Sequence, residues 1–192
     1  MVIPKINLLF CIIAISKSVF VISAATNGDF NIIIENFLEK KYPVKWVSAT
    51  KDSIPSNAII GGVNPNGDKI YIARKRYLKS LIPGAASNSS SGSFFSGLAD
   101  NKNIISSSCE ILTGDPNGIK WVSQKGVMDR TNFYPIPAGF DDRGLPLYIG
   151  QSVIDGQVCI NPASDYLPGG LSCINKNEIV VPDTYNVLIF SS

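Results

Sequence analysis

The pattern of apolar and polar positions divides this chain into three regimes: a largely apolar run, a helical period, and a long series of short alternating segments. The run spans Ile6 to Ile15. From Asp29 to Lys41, Phe30, Ile33, Ile34, Phe37 and Leu38 fall at i, i+3, i+4, i+7 and i+8, with Glu35, Asn36, Glu39 and Lys40 on the opposite side. That spacing predicts one amphipathic helix. Asn27 or Asp29 caps its start and Tyr42-Pro43 ends it, and its apolar stripe is expected to cover one face or end of a β body. Beyond Pro43 the period shortens to two. Lys69 to Tyr77 puts Ile70, Ile72, Arg74 and Arg76 on one face of a strand and Tyr71, Ala73, Lys75 and Tyr77 on the other. Both faces begin apolar and end polar, as in a strand running from a covered region toward a wet edge where a ligand could meet it. The preceding Asn64-Pro65-Asn66-Gly67-Asp68 is a turn, with Gly67 supplying the positive φ of a tight reversal.

The stretch Trp46 to Tyr77 then returns. Trp46-Val47-Ser48 reappears as Trp121-Val122-Ser123, Gly62 as Gly139, Asn64 as Asp141, Gly67 as Gly144, and Tyr71-Ile72 as Tyr148-Ile149; Cys109-Glu110-Ile111-Leu112 matches Tyr185-Asn186-Val187-Leu188. A near-constant offset over so many positions is a tandem duplication. Each copy is small for independent stability, so the two are expected to share one core. The resulting fold class is all-β, an antiparallel sandwich-like body of two repeats with one N-terminal helix. The divisions are 1–24, 25–45, 46–118 and 119–192, with the turn cluster Thr113 to Gly118 between the copies and a low-complexity loop from Ala85 to Ser93 inside the first.

Charge and chemistry narrow the function. Lys5, the apolar run and the small residues Ser23, Ala24 and Ala25 have the layout of a secretory signal peptide cleaved near Ala24 or Ala25. Lys17 interrupts the run, leaving it short of the roughly 20 apolar residues a membrane span needs. Cleavage would remove Lys5 and Lys17 and no acid, taking the net charge from +2 to zero. A neutral chain lacks the basic field on which nucleic-acid binding rests. Secretion makes Asn88-Ser89-Ser90 a candidate N-glycosylation site. It also leaves Cys109, Cys159 and Cys173 in an oxidising compartment, where three pairings are open. Cys159 with Cys173 is favoured because the two flank the short loop Asn161 to Gly170, and Cys109, in an apolar terminal strand, reads as a buried structural thiol. The chain has no histidine. That removes the His-dependent nucleophile triads and metal sites. Acids in the turns are solvated turn formers before they are a glycosidase pair, and neither turn has the spaced oxygens of a calcium loop. No enzyme activity, metal or cofactor is expected.

The shared pattern resembles the DM-nine repeat family. It comprises Trp-Val-Ser, Ile54-Pro55-Ser56-Asn57-Ala58-Ile59-Ile60-Gly61-Gly62, Asn64-(x)2-Gly67, Tyr71-Ile72-Ala73-Arg74, Pro83-Gly84 and Cys109-Glu110-Ile111-Leu112. The second copy repeats it as Ile136-Pro137-Ala138-Gly139-Phe140-Asp141-(x)2-Gly144 and Leu147-Tyr148-Ile149-Gly150, so the resemblance covers Trp46 to Phe190. It implies a small all-β sandwich and a mannose-binding lectin of innate immunity. It also implies a site in which an Asp after Gly-Gly accepts sugar hydroxyls and a Lys after Pro-Gly donates. Here the Asp position holds Asn64 in the first copy and Asp141 in the second. The Lys position holds Ala85 and, after Ile160-Asn161, Pro162. Asp141 and Asn64 are therefore the candidate carbohydrate-binding residues, with Lys69, Lys75 or Arg143 as substitute cations. The expected protein is a secreted lectin that binds a glycan or glycoprotein surface, and a second copy of the chain is another candidate partner. The alternative is a secreted structural or protein-interaction module.

Overall fold

A computed structural model describes residues 11–15, 18–22, 44–50, 52–88, 93–96, 103–176 and 178–191. The helix expected from Asp29 to Lys41 and the cleavage point near Ala24 lie outside the described residues. Ahead of them, β1 (Cys11–Ile15) and β2 (Ser18–Ile22), rich in β-branched residues, pair as an antiparallel hairpin.

The first copy comprises β3 (Val44–Thr50), β4 (Ile60–Val63), β5 (Lys69–Tyr77), β6 (Ser80–Ala86), β7 (Ser93–Ser96), β8 (Asn103–Ser106) and β9 (Ser108–Gly114). The second comprises β10 (Ile119–Lys125), β11 (Pro137–Phe140), β12 (Pro146–Ile154), β13 (Gln157–Ala163), β14 (Cys173–Asn175), β15 (Glu178–Val180) and β16 (Thr184–Phe190). All ladders are antiparallel, and among the described residues the helical content is one 3-10 turn, Pro116–Gly118, between the copies. No helix among them is long and apolar enough to cross a membrane.

The duplication holds at the level of register. Trp46 faces Leu112 across β3 and β9, and Trp121 faces Leu188 across β10 and β16. Ala73 and Arg74 of β5 stand against Ile111 and Glu110, where Gly150 and Gln151 of β12 stand against Val187 and Asn186. Even the irregularities recur: the register shifts between Ile60 and Gly62 in β4, and between Pro137 and Gly139 in β11. Identical bulges 77 residues apart, at corresponding places in both ladders, are inherited features.

Strand order along the main path is β10, β16, β12, β11, β6, β5, β9, β3, so the copies meet where β11 pairs with β6 at Phe140 and Leu81. The two ends of the path share an interior, because Trp46 from one end and Trp121 from the other pack on the same buried cluster. That cluster takes Ile59, Ile72 and Leu112 from the first copy and their counterparts Ile136, Ile149 and Leu188 from the second. Burying each such side chain contributes roughly 1.5 to 3 kcal/mol. Half of this interior belongs to each repeat. Smaller clusters back each copy: Ala73, Phe95, Cys109 and Ile111 in the first, and Tyr148, Leu171, Tyr185 and Val187 in the second.

Two local expectations change. Arg74, expected at a wet edge, is 6% exposed: its guanidinium lies 4.3 Å from the Trp46 ring centroid and its Nε donates to Glu110 Oε2 at 2.8 Å. An aromatic face and a carboxylate replace the water it gives up. The tract Ala85 to Ser93 is also not one loop, since Ala85 and Ala86 complete β6 and Ser93 opens β7. Small side chains suit the close packing there.

Candidate functional site

The two turns that carry the candidate sugar residues have the same backbone. In the first, Gly67 N–H donates to the Asn64 carbonyl at 2.9 Å with Gly67 at φ 88°; in the second, Gly144 N–H donates to the Asp141 carbonyl at 3.0 Å with Gly144 at φ 82°. Their side chains behave differently. Asn64 reaches outward across the joint, and its Oδ1 accepts from Val158 N–H of the second copy at 2.9 Å. Its Nδ2 keeps no partner among the described residues. Asp141 turns inward. It accepts from the backbone N–H of Arg143 and Leu145 at 3.0 and 2.8 Å, and its Oδ2 pairs with the Arg143 guanidinium at 2.9 and 2.7 Å. Burial opposes ionisation of this carboxyl, but those donors and the guanidinium together outweigh it and hold its pKa below the usual range. Arg143 in turn lies over the Tyr166 ring, 5.0 Å from its centroid. The Asp141 side chain is 5% exposed and has nothing left to offer a sugar.

The Asn64 turn opens instead onto a cavity of about 470 Å³ between the copies. Asn64 and Ala85, the two positions at which the family resemblance places its sugar-binding pair, both line it. The first copy supplies the turn and the end of β6, and the second supplies β13 and β14. Amides dominate its polar wall: Asn64, Asn66, Asn103, Gln157, Asn161 and Asn175. Asp68 is the one charged side chain in the lining. Its Oδ2 accepts from Asn66 Nδ2 at 2.6 Å, so the carboxylate missing at Asn64 enters four residues later in the same turn. Ile154 and Ile174 give apolar surface. The disulfide Cys159–Cys173, with Cα atoms 6.2 Å apart, forms part of the wall and ties β14 to β13. Closing a loop of this length stabilises by roughly 3 kcal/mol in the chain-entropy picture.

Asp141 and Pro162 do not line this cavity, nor do Lys69, Lys75 or Arg143. Asn88 is exposed one residue beyond the lining residue Ser87, in a shallower recess with Tyr71 and Lys69. Cys109 is a buried free thiol. Burial raises its pKa above the ordinary thiol value despite the Ser93 hydroxyl 3.2 Å away, which suits a structural role. No group of three Cys, Asp or Glu side chains among the described residues is placed to hold a metal ion. Sequence reasoning missed Gln157, Asn161 and Asn175 because they come from the opposite copy. Their one signal is the amide-rich composition on both sides of the disulfide loop.

Residues 8–97 match the family model of the DM9 repeat, a span that runs from ahead of β1 through β7. The DM9 repeat is associated with lectin-like, carbohydrate-binding function. No curated protein matches the chain. Over residues 8–97 the chain is similar to the DM9 repeat family, and the second copy repeats the first strand for strand and bulge for bulge.

Proposed function

We propose that this is a secreted carbohydrate-binding protein whose site is the cavity between the copies, and that it takes a neutral saccharide, with mannose the first to test. One observation carries the reading: Asn64 and Ala85 converge on one concave space walled by six amide side chains. Amides both donate and accept, as sugar hydroxyls do, so they suit a neutral polyol, and Asp68 adds one stronger, charged acceptor. The apolar surface of Ile154 and Ile174 suits the C–H face of a ring. Ala85 leaves the room that a lysine would fill.

Titration calorimetry with methyl mannoside and a panel of neutral disaccharides tests this. Asp68→Asn and Gln157→Ala should each weaken binding about tenfold, the loss of one good hydrogen bond to a ligand. Asp141→Asn should leave affinity unchanged. Absence of binding across the panel, or equal affinity in all three variants, would remove the cavity as the site.

A further inference from the structure

The β5–β6 hairpin has a second cavity at its other end. The sugar-site candidate is lined by Ile70 and Ala85, at the start of β5 and the end of β6. The second, also about 470 Å³, is lined by Arg74, Lys75 and Arg76 at the end of β5, with Glu110 of β9 and Phe140 of β11. The charge is lopsided. Glu110 is the one carboxylate in the lining, and it accepts from Arg74 Nε at 2.8 Å. Lys75 Nζ donates to Ser108 Oγ at 3.0 Å, a neutral partner. The Arg76 guanidinium sits 5.4 Å from the Phe140 ring centroid, contributed by the other copy. The cleft therefore holds three cations against one anion, in a recess where low-dielectric walls strengthen the field.

The geometry points to this cleft as a binding site for an oxyanion, a sulfate or carboxylate, carried on an acidic saccharide. Arg76 offers a planar fork that matches two anionic oxygens, and Lys75 adds a mobile point charge. The Phe140 ring, already stacked with Arg76, gives an apolar edge for the sugar that bears the anion. The first cavity has a single charged wall residue, an aspartate, and would repel such a group. Two cavities of opposite character at the two ends of one hairpin would read a neutral and an acidic sugar separately.

That the anion arrives on a saccharide rests on the function proposed above; that the cleft takes an anion does not. The experiment keeps the two apart. Binding of a sulfated disaccharide, its unsulfated counterpart and inorganic sulfate is measured by calorimetry on the wild type and on the double variant Lys75→Gln, Arg76→Gln. Neither residue belongs to the first cavity or to the shared interior, and an unchanged melting temperature shows that the variant is folded. The sulfated disaccharide should bind at least about tenfold more tightly than the unsulfated one, and lose at least about tenfold in the double variant. Its affinity should also fall as NaCl rises from about 0.05 to about 0.5 M. Binding of the neutral sugar should be the same in both proteins. If neither the sulfated disaccharide nor sulfate discriminates wild type from the double variant, the cleft is not an anion site. If sulfate does so and the disaccharide does not, the saccharide assignment falls.

Discussion

Gly139 lies where the two copies pair, beside Leu81, and placing a methyl group there tests how they are joined. An alanine Cβ at this position would lie 2.7 Å from the Leu81 carbonyl carbon and closer still to its oxygen. Carbon atoms pack best at roughly 3.5 to 4.0 Å, so the main chains must separate and the Phe140–Leu81 pairing must open. The pseudo-equivalent Gly62 faces Val158, the counterpart of Leu81, but there the obstacle is a side chain, with Cγ1 and Cγ2 at 2.7 and 2.8 Å. Overpacking of that kind costs about 1 to 3 kcal/mol. Losing the joint at Gly139 should cost more than about 3 kcal/mol, a large share of the roughly 5 to 15 kcal/mol that holds a typical domain.

Rescue separates the two cases. Val158→Ala removes both clashing methyl groups, so Gly62→Ala with Val158→Ala should be no less stable than Val158→Ala alone, a coupling of about 1 to 3 kcal/mol. Leu81→Ala cannot relieve Gly139→Ala, because the obstructing atoms are main chain, and those two losses should add. Urea unfolding of the disulfide-intact protein, with midpoints compared at fixed slope, reads the single and double variants alike. If Gly139→Ala costs under about 1 kcal/mol, or Leu81→Ala restores it, the copies are not held by backbone contact at this point.

Two more substitutions probe places where the copies differ. The β12–β13 turn is Asp155-Gly156, both at positive φ, whereas the β5–β6 turn has Leu78 at φ 54° and leaves it 82% exposed; Leu78→Gly should stabilise by about 1 kcal/mol, and no shift in the urea midpoint would refute the strain. Asp141 has a folded pKa below its unfolded value, so its ionised form stabilises the protein above the ordinary carboxylate pKa of about 3.9, and that contribution is lost as pH falls through the folded value. Asp141→Asn should therefore be less stable than wild type at neutral pH and converge on it in acid; a gap that is constant down to strong acid would contradict the assignment.

The backbone was legible in the sequence wherever a residue type is tied to a dihedral. Gly67 and Gly144 announce their turns, and a fixed offset between them announces that both sit on the same scaffold. Alternation in Lys69 to Tyr77 gave the strand, and the apolar half of that pattern went to the shared interior as expected. What side chains do at the turn tips was not legible. Asn64 and Asp141 occupy one position, yet a basic residue two places on draws Asp141 back onto its own loop, while Asn66 leaves Asn64 to cross to Val158. The pairing of buried Arg74 with half-exposed Glu110 was hidden for a related reason. Its members are 36 residues apart, and only matching the repeats in register shows that Gln151 and Asn186, joined by a 2.8 Å hydrogen bond, replace both charges together.

That concerted replacement bears on what the duplication has made. Removing the Glu110 charge alone would leave the buried Arg74 guanidinium without that carboxylate, whereas a change of both to amides keeps the bond and discards the field. In the second copy Gln151 then uses its Nε2 to donate to the Gly61 carbonyl of the first, at 2.6 Å, a contact across the joint that places an amide where Arg74 carries a charge. The copies have thus diverged at their mutual contact, one end becoming amide-bonded and the other basic. Both cavities are walled by residues from the two repeats: Asn64 with Gln157 in one, Arg76 with Phe140 in the other. The first repeat alone would own half of the amide-walled cavity and half of the interior, and would lack Phe140 in the basic cleft, so binding and folding depend on the same joint.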